Sequence, residues 1–379
     1  MKRRDFLATM LGAAILVAAN PIQAFSSNRK TLLIIELVGG NDGLNTLIPY
    51  TDPNYLRLRP TLGIKDGIPI SSTMAFHPAL KELKPILDKG RLAVIQNVSY
   101  PNPNLSHFRA RDIWYSAKPQ GSADSGWIAR YLSSVSAKTA DAIFLGDEYP
   151  LALISEKGDR YLQLSNNLNV KSEGKLGAAI RAVYNSPQVV PMAEQVRRVV
   201  LESETAVKQL AGDLAKRTEQ HGYANNAAGK AFALVGRLLE AQPKVIYLAI
   251  GGWDTHVRQA QRQQQLLEQI SQGLAALDRD INARGMGKNV LTMVHSEFGR
   301  RAAQNGTGGT DHGTAAPVII LGAVKPGFYG GNPALDSLVN GNLPMQVDFR
   351  SIYGEILANW EGTTAKAILA QDFPKVGFI

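Results

Sequence analysis

Asn289 to Gly313 reads NVLTMVHSEFGRRAAQNGTGGTDHG. Val290 to Val294 is an apolar run of strand length, and it delivers His295, Ser296 and Glu297 at its end. A polar, glycine-rich loop follows and closes on Asp311 and His312, side by side. In open α/β sheets ligands bind beyond the carboxyl ends of the strands, so this order of residues places an ionisable cluster where such a protein does chemistry. The reading requires that other strands deliver matching groups to the same edge.

Several do. Thr31 to Val38 (TLLIIELV) ends in Gly39-Gly40-Asn41-Asp42-Gly43, and Lys244 to Ile250 (KVIYLAI) ends in GGWDTH, which carries Asp254 and His256. Arg91 to Val98 (RLAVIQNV) leads through the loop Ser99 to Asn104 into Ser106-His107. The Thr31–Val38 run is continuous, the pattern of a strand buried on both faces of a parallel sheet, and the other two read as strands beside it. Ala142 to Leu145 and Ala316 to Leu321 (APVIIL) are further strands. Helical spacing lies between the strands. His77 to Leu87 is one helix, kinked or restarted at Pro85. Another starts at Ser106, a favoured N-cap, and runs over HFRARDIWYS. Gly126 to Ser133, Gln259 to Ala283, and Gln346 to Trp360 with a cap near Asp348 complete the set. Strands alternating with helices imply an α/β fold with a doubly wound, mainly parallel sheet. Tyr50 to Thr73, rich in Pro, Gly and Asp, reads as a long excursion. Residues 175–241 are dominated by helix formers and read as a helical insertion within a single domain over 25–379.

The first 24 residues read as a targeting segment. Arg3-Arg4-Asp5-Phe6-Leu7 precedes an apolar stretch from Met10 to Ala19, and Ile22-Gln23-Ala24 supplies a small-residue cleavage signal. RRxFL resembles a twin-arginine export signal, which makes the twin-arginine machinery an expected partner and the periplasm or the exterior the expected location. The apolar stretch is well short of the roughly 20 residues that span a bilayer. No later stretch reads as a span. The net charge of +9 falls to +7 without the segment, and the remaining charges are scattered, not clustered as a nucleic-acid footprint would be. The chain has no cysteine, so disulfide, thiolate-ligand and thiol-nucleophile chemistries are excluded.

Four of the six histidines, His107, His256, His295 and His312, stand in these strand-end motifs beside Asp42, Asp254, Glu297 and Asp311. Mixed imidazole and carboxylate ligands suit Zn, Mn or Fe, and a set this large suits two divalent ions. Two ions about 3.5–4 Å apart clamp the attacking and leaving oxygens of a phosphoryl transfer. Neither GxGxxG after a strand nor GxxxxGK[ST] is present, which disfavours a nucleotide-binding loop.

The motifs GGNDGLNTLIPY, SHFRARDIW, GGWDTH, SEFGR and GGTDHG, in this order between about Thr31 and Trp360, resemble those of the exported bacterial proteins grouped as domain-of-unknown-function family 1501. That family is similar to the alkaline phosphatase and sulfatase superfamily, which implies an alkaline phosphatase-like sheet with a two-metal rim. The resemblance implies that Asp42 bridges to a metal and that Ser106 is a nucleophile at a helix N-terminus. It makes Asp254 and His256 one metal pair, and puts His295 and Glu297 at the second site, where the usual Asp-His order is not kept. His312, with Asp311 as neighbour, matches a final ligand. Arg109 and Arg300 are candidates to hold an anionic oxygen, and His107 to orient Ser106 or bind metal.

The expected function is metal-assisted hydrolysis of a small anionic ester, phosphate before sulfate. The formylglycine chemistry of sulfatases needs a C/S-x-P-x-R frame that Ser106-His107-Phe108-Arg109 lacks. A non-catalytic, metal-binding periplasmic protein that keeps the fold is the competing expectation, since fold does not establish activity. A metal-free Ser-His-Asp hydrolase is disfavoured by the absence of a G-x-S-x-G elbow. Ser106 stays open between nucleophile and plain helix cap.

Overall fold

The computed structural model describes residues 29–137, 141–146, 150–155, 161–164 and 222–379. The expected export segment, 1–24, and most of the expected insertion at 175–241 lie outside them. Nine strands form one sheet: β1 (Thr31–Val38), β2 (Leu92–Ser99), β3 (Ala142–Leu145), β4 (Leu162–Leu164), β5 (Val245–Gly251), β6 (Val290–His295), β7 (Ala316–Leu321), β8 (Gly327–Tyr329) and β9 (Val347–Asp348). The order across it is β8-β2-β7-β6-β1-β5-β3-β4, with β9 also paired to β2. Every pairing is parallel except those of β7, which runs against both β6 and β2. A mixed α/β fold with a large, mostly parallel central sheet is thus observed.

Both faces of the sheet are covered, and the β1 sequence shows why. Successive side chains of a strand point to opposite faces. Leu32 and Ile34 therefore enter one apolar core, and Leu33, Ile35 and Leu37 the other. The first core is roofed by α1 (His107–Ser116), α2 (Trp127–Ser134), α5 (Phe349–Glu355) and α6 (Ala365–Leu369), through Trp114, Trp127, Ile352 and Leu369 among others. The second is roofed by α3 (Ala227–Leu238) and α4 (Gln259–Ala283), through Phe232, Leu234, Leu267 and Leu274. The described end of the expected insertion, α3, is therefore a core helix and not solvated surface.

The topology fixes where the strand ends meet. β1 lies between β5 and β6, with Val38 opposite Gly251 and Glu36 opposite His295. The three carboxyl ends are neighbours. β7 runs antiparallel beside β6, so the loop 296–315 starts and finishes at the same rim. β2 is antiparallel to β7 and also ends there, feeding the loop that opens α1.

The expected helix at 77–87 is a 3-10 turn, Pro78–Leu83, followed by a short α-helix, Lys84–Asp88, with Pro85 in its first turn, where a missing N–H costs nothing. His77 caps the 3-10 turn, its Nδ1 accepting from the Ala79 N–H at 2.9 Å, and it is 6% exposed. Burial pushes its pKa down to about 4, against 6.5 for the free group. The unfolded chain therefore takes this proton first on acidification. Stability present above about pH 6.5 is lost as the pH falls to about 4, by on the order of 3 kcal/mol. His77→Asn keeps an acceptor for the cap, and urea midpoints measured from pH 7 to pH 4 should fall less steeply for it than for the wild type. Parallel slopes would refute this.

Candidate metal centre

The close meeting of β1 and β5 depends on glycine. Gly39 has φ +124°, and a Cβ there would lie 2.4 Å from the Asp254 backbone nitrogen. Into this junction comes Arg300, whose side chain is fully buried. Its guanidinium donates to the carbonyls of Gly39, Gly40 (2.6 Å), Thr310 (2.9 Å) and Trp253 (3.3 Å), and to Asp254 Oδ1 at 2.6 Å. One cation thus ties the loops after β1, β5 and β6. Helix α1 is locked onto the sheet by a second buried charge, Glu36 of β1. Its carboxylate accepts from Arg111 Nε (2.8 Å), the Tyr115 hydroxyl (2.6 Å) and the Tyr247 hydroxyl (3.1 Å). That lock presents His107, the first residue of α1, to the rim.

Three imidazoles converge there with one carboxylate. His107 Nδ1 lies 2.8 Å from Glu297 Oε1, His312 Nδ1 lies 2.8 Å from the Leu105 carbonyl, and His256 Nδ1 lies 3.3 Å from Asp311 Oδ1. A carbonyl or a carboxylate can only accept, so each Nδ1 carries the proton. Each neutral ring is left with a lone pair on Nε2. His256 Nε2 is 3.0 Å from both His312 Nε2 and Asp254 Oδ1, and His312 Nε2 is 3.3 Å from the same oxygen. His107 Nε2 lies 3.5 Å from Asp254 Oδ2 and is buried with no hydrogen-bond partner. The ligating atoms of His107, Asp254 and His312 all lie within 4.8 Å of one another. Facing lone pairs at these separations call for a cation. Zinc binds such donors at about 2.0–2.1 Å in a tetrahedron, which puts neighbouring donors roughly 3.3 Å apart. The residues present fit one divalent ion.

The charges of Asp254, Glu297 and His312 agree with that assignment, and at His107 a cation would compete with a proton. Burial works against the Asp254 carboxylate but is outweighed by the hydrogen bond and charge of Arg300, then by His312 and His256, so its pKa is held below the ordinary range. Burial likewise opposes the Glu297 anion, yet its hydrogen bonds to His107 and to backbone N–H groups keep its pKa low. The Glu297 hydrogen bond raises the pKa of His107. Burial lowers that of His312.

Of the residues expected from sequence, Asp254, His256, His312 and Asp311 are brought together, Asp311 as the partner of His256. Ser106 stands at the expected helix N-terminus, whereas Asp42, His295, Glu297, Arg109 and Arg300 are engaged elsewhere. Asp42 is 1% exposed and salt-bridged to Arg59, also buried, at 2.5 Å. Its carboxylate is taken and does not join the cluster. His295 shares the pleat face of Leu291 and Met293, so it points into the core. There it stacks on Trp114 with ring centroids 4.5 Å apart, its Nε2 lying 3.3 Å from the Tyr247 hydroxyl. Glu297 faces His107 and the Gly39 and Gly40 N–H groups, at 2.9 and 3.1 Å, instead of the ligand atoms. Arg109 is turned to the Pro119 and Gly121 carbonyls. Arg300 spends its guanidinium on the protein's own loops. Ser106 is exposed at the N-cap position of α1, without a side-chain cap bond, and adjoins His107 in the chain. His107, which the sequence offers either to orient Ser106 or to bind metal, stands in the cluster with Asp254 and His312. Its signal was its place at a helix start after a strand end, next to the other rim histidines. Among the described residues one such cluster is found. The expected second ion has no second ligand set there.

Similar solved structures include the zinc complex of the C-terminal periplasmic domain of EcEptC from Escherichia coli, at 9% identity, 80% of this chain, 77% of that one and a TM-score of 0.40. An alkaline phosphatase superfamily protein from Vibrio parahaemolyticus matches at 11% identity, 86% and 71% coverage and TM-score 0.38. An alkaline phosphatase from the Antarctic bacterium TAB5 matches at 9% identity, 78% and 92% coverage and TM-score 0.35. No curated protein matches the sequence. The family model for proteins of unknown function DUF1501 matches residues 92–358, more than half of the chain, from β2 through the metal-centre loops to the C-terminal helices, and the protein belongs to that family.

Proposed function

We propose that the protein is an exported, metal-dependent hydrolase of phosphate esters, with sulfate esters as the less favoured class. One divalent ion would be held by His107, Asp254, His256 and His312. The observation that carries this reading is the common arrangement of the three imidazoles, each tied at Nδ1 to an acceptor and each turning Nε2 toward the Asp254 carboxylate. Mixed nitrogen and oxygen donors suit Zn, Mn or Fe. When bound, such an ion supplies Lewis-acid polarisation of an ester oxygen.

The chain's own residues supply the rest. Ser106 is the proposed nucleophile, exposed beside His107. The free N–H groups and positive end of α1 favour an anion at the same place. Arg300 acts by holding Asp254 and the loops. Export through residues 1–24 would put the site in the periplasm or outside the cell. Among the described residues no helix is long and apolar enough to cross a membrane. A second reading, a metal-binding protein without turnover, is favoured by the engagement of Asp42 with Arg59, which removes the ligand expected to bridge a second ion.

Metal analysis of the natively purified exported protein, combined with a phosphatase, phosphodiesterase and sulfatase substrate panel, tests both. One ion per chain is expected, with ester hydrolysis that chelation abolishes, and His312→Ala should weaken the ion's binding at least tenfold. One ion without turnover selects the second reading. No divalent metal, together with an Asp254→Ala variant unchanged in stability and in any activity, would sink the catalytic one.

A further inference from the structure

Glu297 has a place in this site that neither its sequence motif nor the metal reading assigns. Its side chain is fully buried, and its oxygens accept from the Gly39 N–H, at 2.9 Å to Oε1 and 3.2 Å to Oε2, and from the Gly40 N–H at 3.1 Å. These donors hold the carboxylate still, on backbone from a different strand end. What it presents outward is Oε1, 2.8 Å from His107 Nδ1. The far side of that ring, Nε2, is the one imidazole nitrogen of the cluster that is buried with no hydrogen-bond partner. The ring is packed between Phe298 (centroids 4.9 Å apart) and His312 (4.4 Å), so it has little freedom to turn.

We propose that Glu297 is a positioning residue, which fixes His107 with its proton on Nδ1 and so keeps Nε2 as a lone pair aimed at the Asp254–His312 cluster. The proposal rests on the metal reading for its consequence, though not for the tautomer itself. The physical reason is the donor inventory. A carboxylate has no hydrogen to give, so the imidazole must be the donor at Nδ1, and a neutral ring then has its lone pair at Nε2. Carboxylates that orient a ligating imidazole in this way are worth about 10–100-fold in metal affinity. Glu297→Gln changes little in shape. An amide oxygen in the place of Oε2 keeps the Gly40 N–H at 3.1 Å and the longer Gly39 contact at 3.2 Å, whereas the NH2 in the place of Oε1 gives up the 2.9 Å Gly39 bond and faces His107, the one partner there that can change its tautomer. The Nδ1 must then accept, and the ring proton moves to Nε2, where it blocks the lone pair. The side chain is retained and the tautomer is inverted.

Two measurements on the full chain decide the matter. The first is nitrogen-15 NMR of the histidine rings in metal-free protein. Wild type should show His107 protonated at Nδ1, and Glu297→Gln should show it protonated at Nε2, with the His256 and His312 signals unmoved. The second is competition titration with Zn2+. Glu297→Gln should weaken binding about 10–100-fold with the melting temperature little changed. In a His107→Ala background the same substitution should have no further effect, whereas a merely structural role would add its loss there too. The proposal is overturned if wild-type His107 carries its proton on Nε2, a result that needs no variant to fold. It is equally overturned if Glu297→Gln leaves the tautomer as it was, or leaves Zn2+ affinity within twofold. Failure of the wild type to bind Zn2+ would defeat the metal reading instead, and the NMR result alone would then decide the role of Glu297.

Discussion

Arg59→Met should destabilise the fold by about 3–5 kcal/mol, the usual consequence of stripping one partner from a buried ion pair. Arg59 and Asp42 are 0% and 1% exposed. The guanidinium donates to Asp42 Oδ2 at 2.5 Å and Oδ1 at 2.9 Å, to Asn45 Oδ1 at 2.8 Å, and to the carbonyls of Ala302 and Arg301 at 2.8 and 3.0 Å. Methionine fills much of the same volume, so the loss is electrostatic. The Asp42 carboxylate would be left with the amide of Gln259 among its side-chain donors, out of reach of water. Replacing both partners, Arg59→Met with Asp42→Leu, should recover the part of the loss due to the stranded carboxylate, since apolar pairs of similar volume replace buried ion pairs at little net expense, while the Ala302 and Arg301 carbonyls stay without this donor. Urea midpoints for the four members of this cycle, read at pH 7, give the coupling directly. A single-variant loss below about 1 kcal/mol would mean that Asp42 finds solvent or another cation. The cycle also bears on the metal centre. Asp42 stands outside the ligand cluster, so the folded double variant should bind its ion as the wild type does.

That pair marks the limit of what the sequence could reveal. The strands were legible because a parallel sheet buried on both faces demands largely apolar runs, and TLLIIELV, RLAVIQNV and KVIYLAI supply them with Glu36, Gln96 and Asn97 as buried exceptions. The rim was legible because three of the runs lead directly into Gly, Asp or His, in GGNDG, GGWDTH and HSEFG. Which way each end residue points was not. His295 and Glu297 are two apart, and His295 is the last strand residue, on the face of Leu291 and Met293. Parity alone assigns it to a face, but only the packing of Trp114 from α1 shows that this face is core. Glu297 lies past the strand end, where the period of two no longer applies. Arg59 was invisible for a different reason. It sits in the long excursion at Tyr50 to Thr73, with no motif around it, and only the fold brings it to Asp42. The reversed direction of β7 had a readable cue. A parallel connection needs a crossover, usually a helix, and residues 297–315 show no helical spacing. Arg300 carried no cue to its partners, because a sequence does not say that a guanidinium will find five acceptors inside its own protein.

Arg300→Met should be at least as damaging, by about 4 kcal/mol or more, and unlike Arg59→Met it should also weaken the metal centre. Four of the acceptors that would lose a donor are backbone carbonyls of Gly39, Gly40, Trp253 and Thr310, all in buried residues. A buried polar group stripped of its partner costs about 1–3 kcal/mol, so four of them exceed the figure given even where water enters in part. The fifth, Asp254, is half-exposed and will be solvated, so its own loss is small in stability but not in geometry. Freed from Arg300 it can swing away from His107, His256 and His312. A lost positive charge 3.5 Å from His256 Nε2 works the other way, favouring a bound cation. Arg300 is already neutralised by Asp254 at 2.6 Å, however, so the loss of positioning should win. Arg300→Lys separates the two contributions. It keeps the charge but offers three donors from a single point where the guanidinium fork serves three loops at once. If charge were what mattered, lysine would restore both stability and ion binding. The structure says that the fork matters, so Arg300→Lys should recover less than half of the lost stability. Its ion affinity should stay nearer that of Arg300→Met than that of the wild type. Urea denaturation and Zn2+ titration of the two variants side by side measure both, and full recovery by lysine would reverse the argument.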